Sequence, residues 1–124
     1  MKKELNSPKA PGAIGPYSQA VMSGNLIFVS GQLPINASTG EMPSDIKAQT
    51  AQSLENAKAI LEAAGSSLDK VVKSMVLLAD MSLFGPMNEV YGEYFKAPFP
   101  ARCAFAVKEL PKQALVEIEI VAEA

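Results

Sequence analysis

The chain has no histidine, no tryptophan and one cysteine, and ten of its eleven basic residues are lysines, which leaves Arg102 as the sole arginine. Without histidine it lacks both the side chain that titrates near neutral pH and the commonest metal ligand. One cysteine and no histidine cannot assemble a structural zinc site. The lone Cys103 has no intramolecular disulfide partner either, which fits a reducing compartment. No acidic loop of the DxDxDG kind marks a calcium or magnesium site, so the expectation is neither metal nor cofactor. The formal net charge of −2 carries no cationic excess, which argues against nucleic-acid partners and anionic membrane surfaces. No apolar run approaches the roughly 18 residues that a membrane span needs. The opening MKKELNSPKAP has two lysines but no apolar stretch behind them, unlike a signal peptide. The cytoplasm is the expected location. Any catalysis falls to carboxylates, hydroxyls, backbone groups and a few cations.

What is present suits one globular domain spanning residues 1–124, with 48% hydrophobic and 19% charged residues. The segment KKEL reads as a short strand, followed by a loop through Pro8, Pro11, Gly12, Gly15 and Pro16. Ser18 to Ser23 and Leu26 to Ser30 read as strands joined by a Gly24-Asn25 hairpin turn. Gly31 to Ser44, punctuated by Pro34, Gly40 and Pro43, is an expected loop. Asp45 to Ala64 carries Ile46, Thr50, Leu54, Ala57, Leu61 and Ala64 on one helical face, with Ser44 or Asp45 as cap and Gly65 as stop. A buried strand at Val71 to Ala79 precedes a second helix at about Leu83 to Phe95. Asp80 or Ser82 begins that helix, and Pro86 is confined to its first turns. Strands at Ala101 to Val107 and Leu115 to Ala122 flank a turn at Leu110-Pro111-Lys112. The order β, β, β, α, β, α, β, β predicts an α+β fold, a mixed sheet with both helices on one face. Its second face then needs a cover, and self-association is the expected source.

Arg102 lies in PFPARCAFAV, where alternation puts Arg102, Ala104 and Ala106 on one face and Cys103, Phe105 and Val107 on the other. A guanidinium offers a planar fork to a carboxylate and keeps its charge when partly buried. Two readings stand equally here: a ligand grip with room beside small alanines, or an ion pair with a carboxylate of the next strand. In ALVEIEIVA, Glu117 and Glu119 share a strand face, and one can activate water while the other balances Arg102. A solvated outer face explains them as well, and alternating acids also discourage edge pairing. Tyr17 in GAIGPYSQA and Ser30 in FVSGQLP are hydroxyls at loop–strand junctions. Asn88 on the second helix can cap or hydrogen-bond a loop. Gly31 fits either a close backbone approach or a plain turn, and Cys103 reads as a packed small hydrophobe.

Taken in order, GAIGPYSQA, LIFVSGQLP, DIKAQTAQSLENAKAILEAAG, MNEVYGEYF, PARCAF and LPKQALVEIEIVA resemble the Rid (reactive intermediate deaminase, YjgF-type) family over nearly the whole chain. Within it they resemble the RidA subgroup, the 2-iminobutanoate/2-iminopropanoate deaminases. The resemblance implies a chorismate mutase-like homotrimer, with the sheets forming a central barrel and a site in each cleft between subunits. It implies imino acid substrates derived from 2-aminoacrylate and 2-aminocrotonate, the enamines that pyridoxal-phosphate dehydratases release. By the same resemblance Arg102 grips the substrate carboxylate, Glu117 handles the water, and Tyr17, Ser30, Gly31 and Asn88 line the pocket. Many members carry Ser-Cys after this arginine. Here the pair is Cys103-Ala104, so the family's cysteine position falls on Ala104, whose backbone N–H still serves a carboxylate.

The expected activity is hydrolytic deamination of 2-imino acids to 2-oxo acids and ammonia, which spares pyridoxal-phosphate enzymes. An iminium carbon is already electrophilic, so holding it and aiming a water at it suffices. The rival readings are a non-catalytic trimer that senses small carboxylates through Arg102, and a ribonuclease or translation inhibitor. The acidic, histidine-free composition speaks against the second rival.

Overall fold

The computed structural model describes residues 1–124, and its strands follow the predicted order. They are β1 (Lys3–Leu5), β2 (Ala20–Ser23), β3 (Leu26–Gln32), β4 (Val71–Leu78), β5 (Ala101–Ala106) and β6 (Val116–Glu123), with helices α1 (Ile46–Ala63) and α2 (Phe84–Tyr94). They make one six-stranded sheet in the order β1-β2-β3-β6-β4-β5. Only β4 and β5, joined through α2, run parallel, so the sheet is mixed.

Local chemistry places these elements. Gly24, at φ +61°, takes the left-handed backbone that a two-residue hairpin requires. The Asp45 carboxylate accepts the Ala48 N–H at 3.3 Å and caps α1. Just past the Ala64 cap, Gly65 at φ +82° turns the chain out of the helix. Thr50, Leu54, Ala57 and Leu61 are buried as the periodicity predicts, and Ile60 joins them. They close over Ile27, Val29, Val76, Leu78, Val116, Ile118 and Ile120 of the sheet, all fully or almost fully buried.

Several boundaries differ from the sequence reading. β2 begins at Ala20, because Gln19 is a buried bracket: its amide donates to the carbonyls of Ser7, Ala10 and Pro11 and accepts the Ser7 N–H. β3 does not stop at Ser30. It runs on to Gln32 across an irregularity between Val29 and Gln32, which sets an extra residue against β6. A 3₁₀ turn at Met81–Leu83, where Asp80 accepts the Ser82 N–H at 2.8 Å, precedes α2. The expected turn at Leu110–Lys112 is a 3₁₀ turn at Pro111–Gln113.

Along β6 the buried Val116, Ile118, Ile120 and Ala122 alternate with Glu117, Glu119, Val121 and Glu123. Along β4, Ser74, Val76 and Leu78 turn to the helices, and Met75 and Leu77 turn away. The far face therefore presents Phe28, Val121, Met75, Leu77, Cys103 and Phe105 with no layer of this chain over it. Phe28 is 42% exposed and Phe105 is 44% exposed. No helix is long and apolar enough to cross a membrane.

Candidate active site

The expected site residues fall into two groups on opposite faces of the sheet. Arg102 lies in register with Ser74, on the side of β5 that faces the helices. Its Nη1 donates to Asn88 Oδ1 at 2.7 Å. Its guanidinium carbon sits 4.7 Å from the centre of the Tyr91 ring and 5.4 Å from that of Phe84, within cation–π range. Phe84, Asn88 and Tyr91 are spaced four and three residues apart, so one stripe of α2 cradles the arginine. A cleft of about 440 Å³ opens beside it, lined by Asn88, Tyr91, Gly92, Phe99, Pro100 and Arg102. Ala104 follows Arg102 on the same strand face and packs partly against the core.

Arg102 makes no ion pair; the one salt bridge in the chain joins Lys47 and Glu89 on the helix surface. The expectation that Glu117 or Glu119 balances Arg102 is therefore corrected for the single chain. Both acids alternate with buried Val116, Ile118 and Ile120 and project from the other face. With one hydrogen bond made, most of the five N–H donors of the guanidinium stay uncommitted.

The second group gathers where β3 and β6 meet the 11–18 loop. Tyr17 and Ser30 line two adjoining clefts, one of about 270 Å³ shared with Gly31, the other of about 580 Å³ shared with Glu119. The Ser30 hydroxyl donates to the Ser18 carbonyl at 2.6 Å, which fixes its direction. Tyr17 is 53% exposed, with its Oη near the Ile14 N–H at 3.4 Å. A side chain on Gly31 would overlap the Glu117 carboxylate, so close approach, and not a turn, accounts for this glycine. Burial, and then the neighbouring charge of Glu119, raise the Glu117 pKa above the usual glutamate value. A carboxylate held so is a better proton acceptor than a free glutamate. Cys103 is only half-buried and lies on the bare face.

The two rings that hold Arg102, and Lys112, lie outside the sequence reading of the site. Tyr91 and Phe84 flank Asn88 at helical spacing, which is the signal that could have found them. Lys112 borders the smaller cleft. It and Gln113 both hold left-handed backbone at φ 57°, which nothing short of the fold reveals. No group of three or more His, Cys, Asp or Glu side chains converges as a metal site would.

Comparison with known proteins shows what the chain is similar to. Residues 7–124 match the family model described as Endoribonuclease L-PSP. A RutC family protein of Pyrococcus horikoshii is 55% identical over 98% of both chains. The 2-iminobutanoate/2-iminopropanoate deaminase of Escherichia coli is 46% identical over 98% of both chains. The crystal structure of Escherichia coli TdcF with bound serine superposes with a TM-score of 0.95 at 43% identity over 98% of both chains.

Proposed function

The chain belongs to the Endoribonuclease L-PSP family, the Rid or YjgF group, and from that membership and the two half-sites we propose that it hydrolyses 2-imino acids to 2-oxo acids and ammonia. The observation that carries the reading is an arginine with no carboxylate partner beside an open cleft. Such a group suits a small carboxylate ligand, and a relative of this fold binds serine. Ala104 adds a backbone N–H next to that grip.

The chemistry then needs one base. Glu117 removes a proton from a water as its oxygen attacks C2 of the iminium. Tyr17, with Ser30 beside it, orients that water, and Gly31 lets the carboxylate approach. Glu117 returns its proton to the amino nitrogen of the resulting carbinolamine; the C–N bond then breaks as the C=O bond forms, and the hydroxyl proton passes through Glu117 to the departing ammonia, which leaves as ammonium. Pyridoxal-phosphate enzymes are spared because the imine and its parent enamine are consumed.

Arg102 and Glu117 lie on opposite faces of one sheet, so one chain does not bring them together. A homotrimer joins them: bare sheet faces meet around a central barrel, and Arg102 of one copy closes a cleft against Tyr17, Ser30 and Glu117 of the next. The exposed Phe28 and Phe105 supply apolar surface for that contact. An RNA-cleaving role finds little support, because a single arginine and no histidine offer no phosphate-binding stripe.

The test generates 2-aminoacrylate or 2-aminocrotonate in situ and follows 2-oxo acid release with wild type and Arg102→Lys. Acceleration by wild type, with kcat/KM lower by about 10²-fold or more in the lysine variant, is expected from loss of the fork. Carboxylate binding without acceleration identifies a sensor instead, and near-normal rates in Arg102→Lys would remove the bidentate grip.

A further inference from the structure

An arginine on a strand can be fixed in two ways. A carboxylate partner would hold it but cancel the charge that a ligand needs. Aromatic faces hold it through the ring quadrupole and leave the net charge in place. Arg102 is held in the second way, between Tyr91 at 4.7 Å and Phe84 at 5.4 Å, with Asn88 Oδ1 as the one polar contact.

The Tyr91 ring is itself fixed. Its hydroxyl lies 2.6 Å from Ser74 Oγ, and Ser74 is fully buried. Ser74 interrupts an otherwise apolar inner face of β4, made of Val71, Val76 and Leu78. A buried hydroxyl there is unfavourable unless paired, and packing alone would be met by an alanine facing a phenylalanine. The pair ties the ring to the β4 residue that lies in register with Arg102 across the parallel β4–β5 ladder. Phe95 packs against the ring at a tilt of 37°, with centroids 4.6 Å apart. Helix, ring and strand thus converge on one guanidinium.

We propose that Tyr91, locked by Ser74 and assisted by Phe84, is the positioning residue for Arg102, setting the guanidinium plane while leaving its charge free for the substrate carboxylate. This rests on the deaminase reading for its consequence, not for its geometry. Burial raises the Tyr91 pKa against the opposing influence of Ser74 and Arg102, which favours the neutral phenol. Tyr91 acts only through the arginine. The same cradle explains why the chain's single arginine stands here among ten lysines, since an ammonium has no plane to stack.

The test compares wild type, Tyr91→Phe, Tyr91→Leu and Phe84→Leu by three readouts: the Arg102 Nε–Hε resonance in ¹⁵N NMR, the Kd for 2-oxobutanoate, and steady-state deaminase kinetics. Ring currents displace the wild-type resonance, and Tyr91→Leu and Phe84→Leu return it toward the free-arginine position. Kd and KM rise about ten-fold in Tyr91→Leu and less in Phe84→Leu, with kcat nearly unchanged. Tyr91→Phe retains the ring and loses about two- to three-fold, as a partial rescue. If Tyr91→Leu fails to fold, the partly exposed Phe84→Leu carries the same comparison. A lowered Tm with resonance, Kd and KM all unmoved overturns the proposal and leaves Tyr91 a packing residue. A wild type that shows the displaced resonance but no turnover overturns the deaminase reading alone.

Discussion

The two faces of the sheet treat charge in opposite ways. On the face under the helices, a lone cation is stacked between two rings and held by one amide, with no carboxylate near enough to neutralise it. On the bare face, two carboxylates stand two residues apart among apolar side chains, and the more buried of them is pushed toward protonation. A chain that placed these charges together would form an internal ion pair and a closed site. Keeping them on opposite faces leaves the cation ready for an acid ligand and the acid ready for a proton. On the proposed reading, the two charges meet only where a second copy of the chain supplies one of them.

The largest expected effect separates the two charges by variant. Glu117→Gln should lower kcat by about 10²- to 10⁴-fold, the usual range for removing a general base, while 2-oxobutanoate still binds at Arg102. Arg102→Ala should lose that binding. If each cleft takes its cation and its base from different copies, refolding the two inactive variants together restores part of the turnover, because some clefts regain both groups. A mixture as dead as its parts would place both roles within each chain. The pH profile gives the same base a second signature. Glu117 must be ionised to accept a proton, and its pKa is raised. Turnover is therefore lost as pH falls through a value above the ordinary glutamate range. Glu119→Gln removes the second cause of that raise, so the acidic limb should move to lower pH; an unmoved limb would mean that another group titrates.

A smaller effect is expected from the bare face itself. Phe28 stands in register between Val21 and Val121, at the centre of the uncovered apolar rows. Phe28→Lys exposes nothing new in a single chain, but buries an unpaired ammonium if a second copy covers the face. If the proposed trimer forms, sedimentation equilibrium should show its mass in the wild type and that of one chain in the variant, with turnover down about ten-fold or more. An unchanged mass would leave this face free of any subunit contact and remove the composite cleft.

The fold was largely legible because its signals are local. The Gly24-Asn25 turn, the α1 stripe from Thr50 to Leu61 and the alternation of VEIEIV each fix an element within a few residues, and the structure carries them as expected. The departures came from contacts between distant residues. Gln19 shortens β2 by bonding the loop at Ser7, Ala10 and Pro11, and β3 extends past Ser30 because β6 lies alongside to pair with Gln32. The site was legible as residue types and not as geometry. Alternation gave the faces within β5 and within β6 separately, but not the relation between them, which depends on the β3-β6-β4-β5 order. Hence an acid next to Arg102 was a reasonable expectation and is absent. Gly31 could not be settled from sequence, since what a side chain there would meet and displace is the carboxylate of Glu117 on a strand distant in sequence.

Cys103 offers the finest test of the division between faces. It follows Arg102 directly, yet strand alternation turns it to the bare side, in register with Met75 and away from the Asn88–Tyr91 cradle. A thiol there has no geometric route to a carboxylate held on the helix face. Cys103→Ala should therefore keep kcat/KM within about two-fold, the scale of a substitution that touches neither charge. It should cost at most a little assembly stability, through the sulfur lost from the apolar rows. A loss of turnover beyond ten-fold, with the trimer intact and 2-oxobutanoate still bound, would bring the thiol into the chemistry and end the assignment of water handling to Glu117 alone.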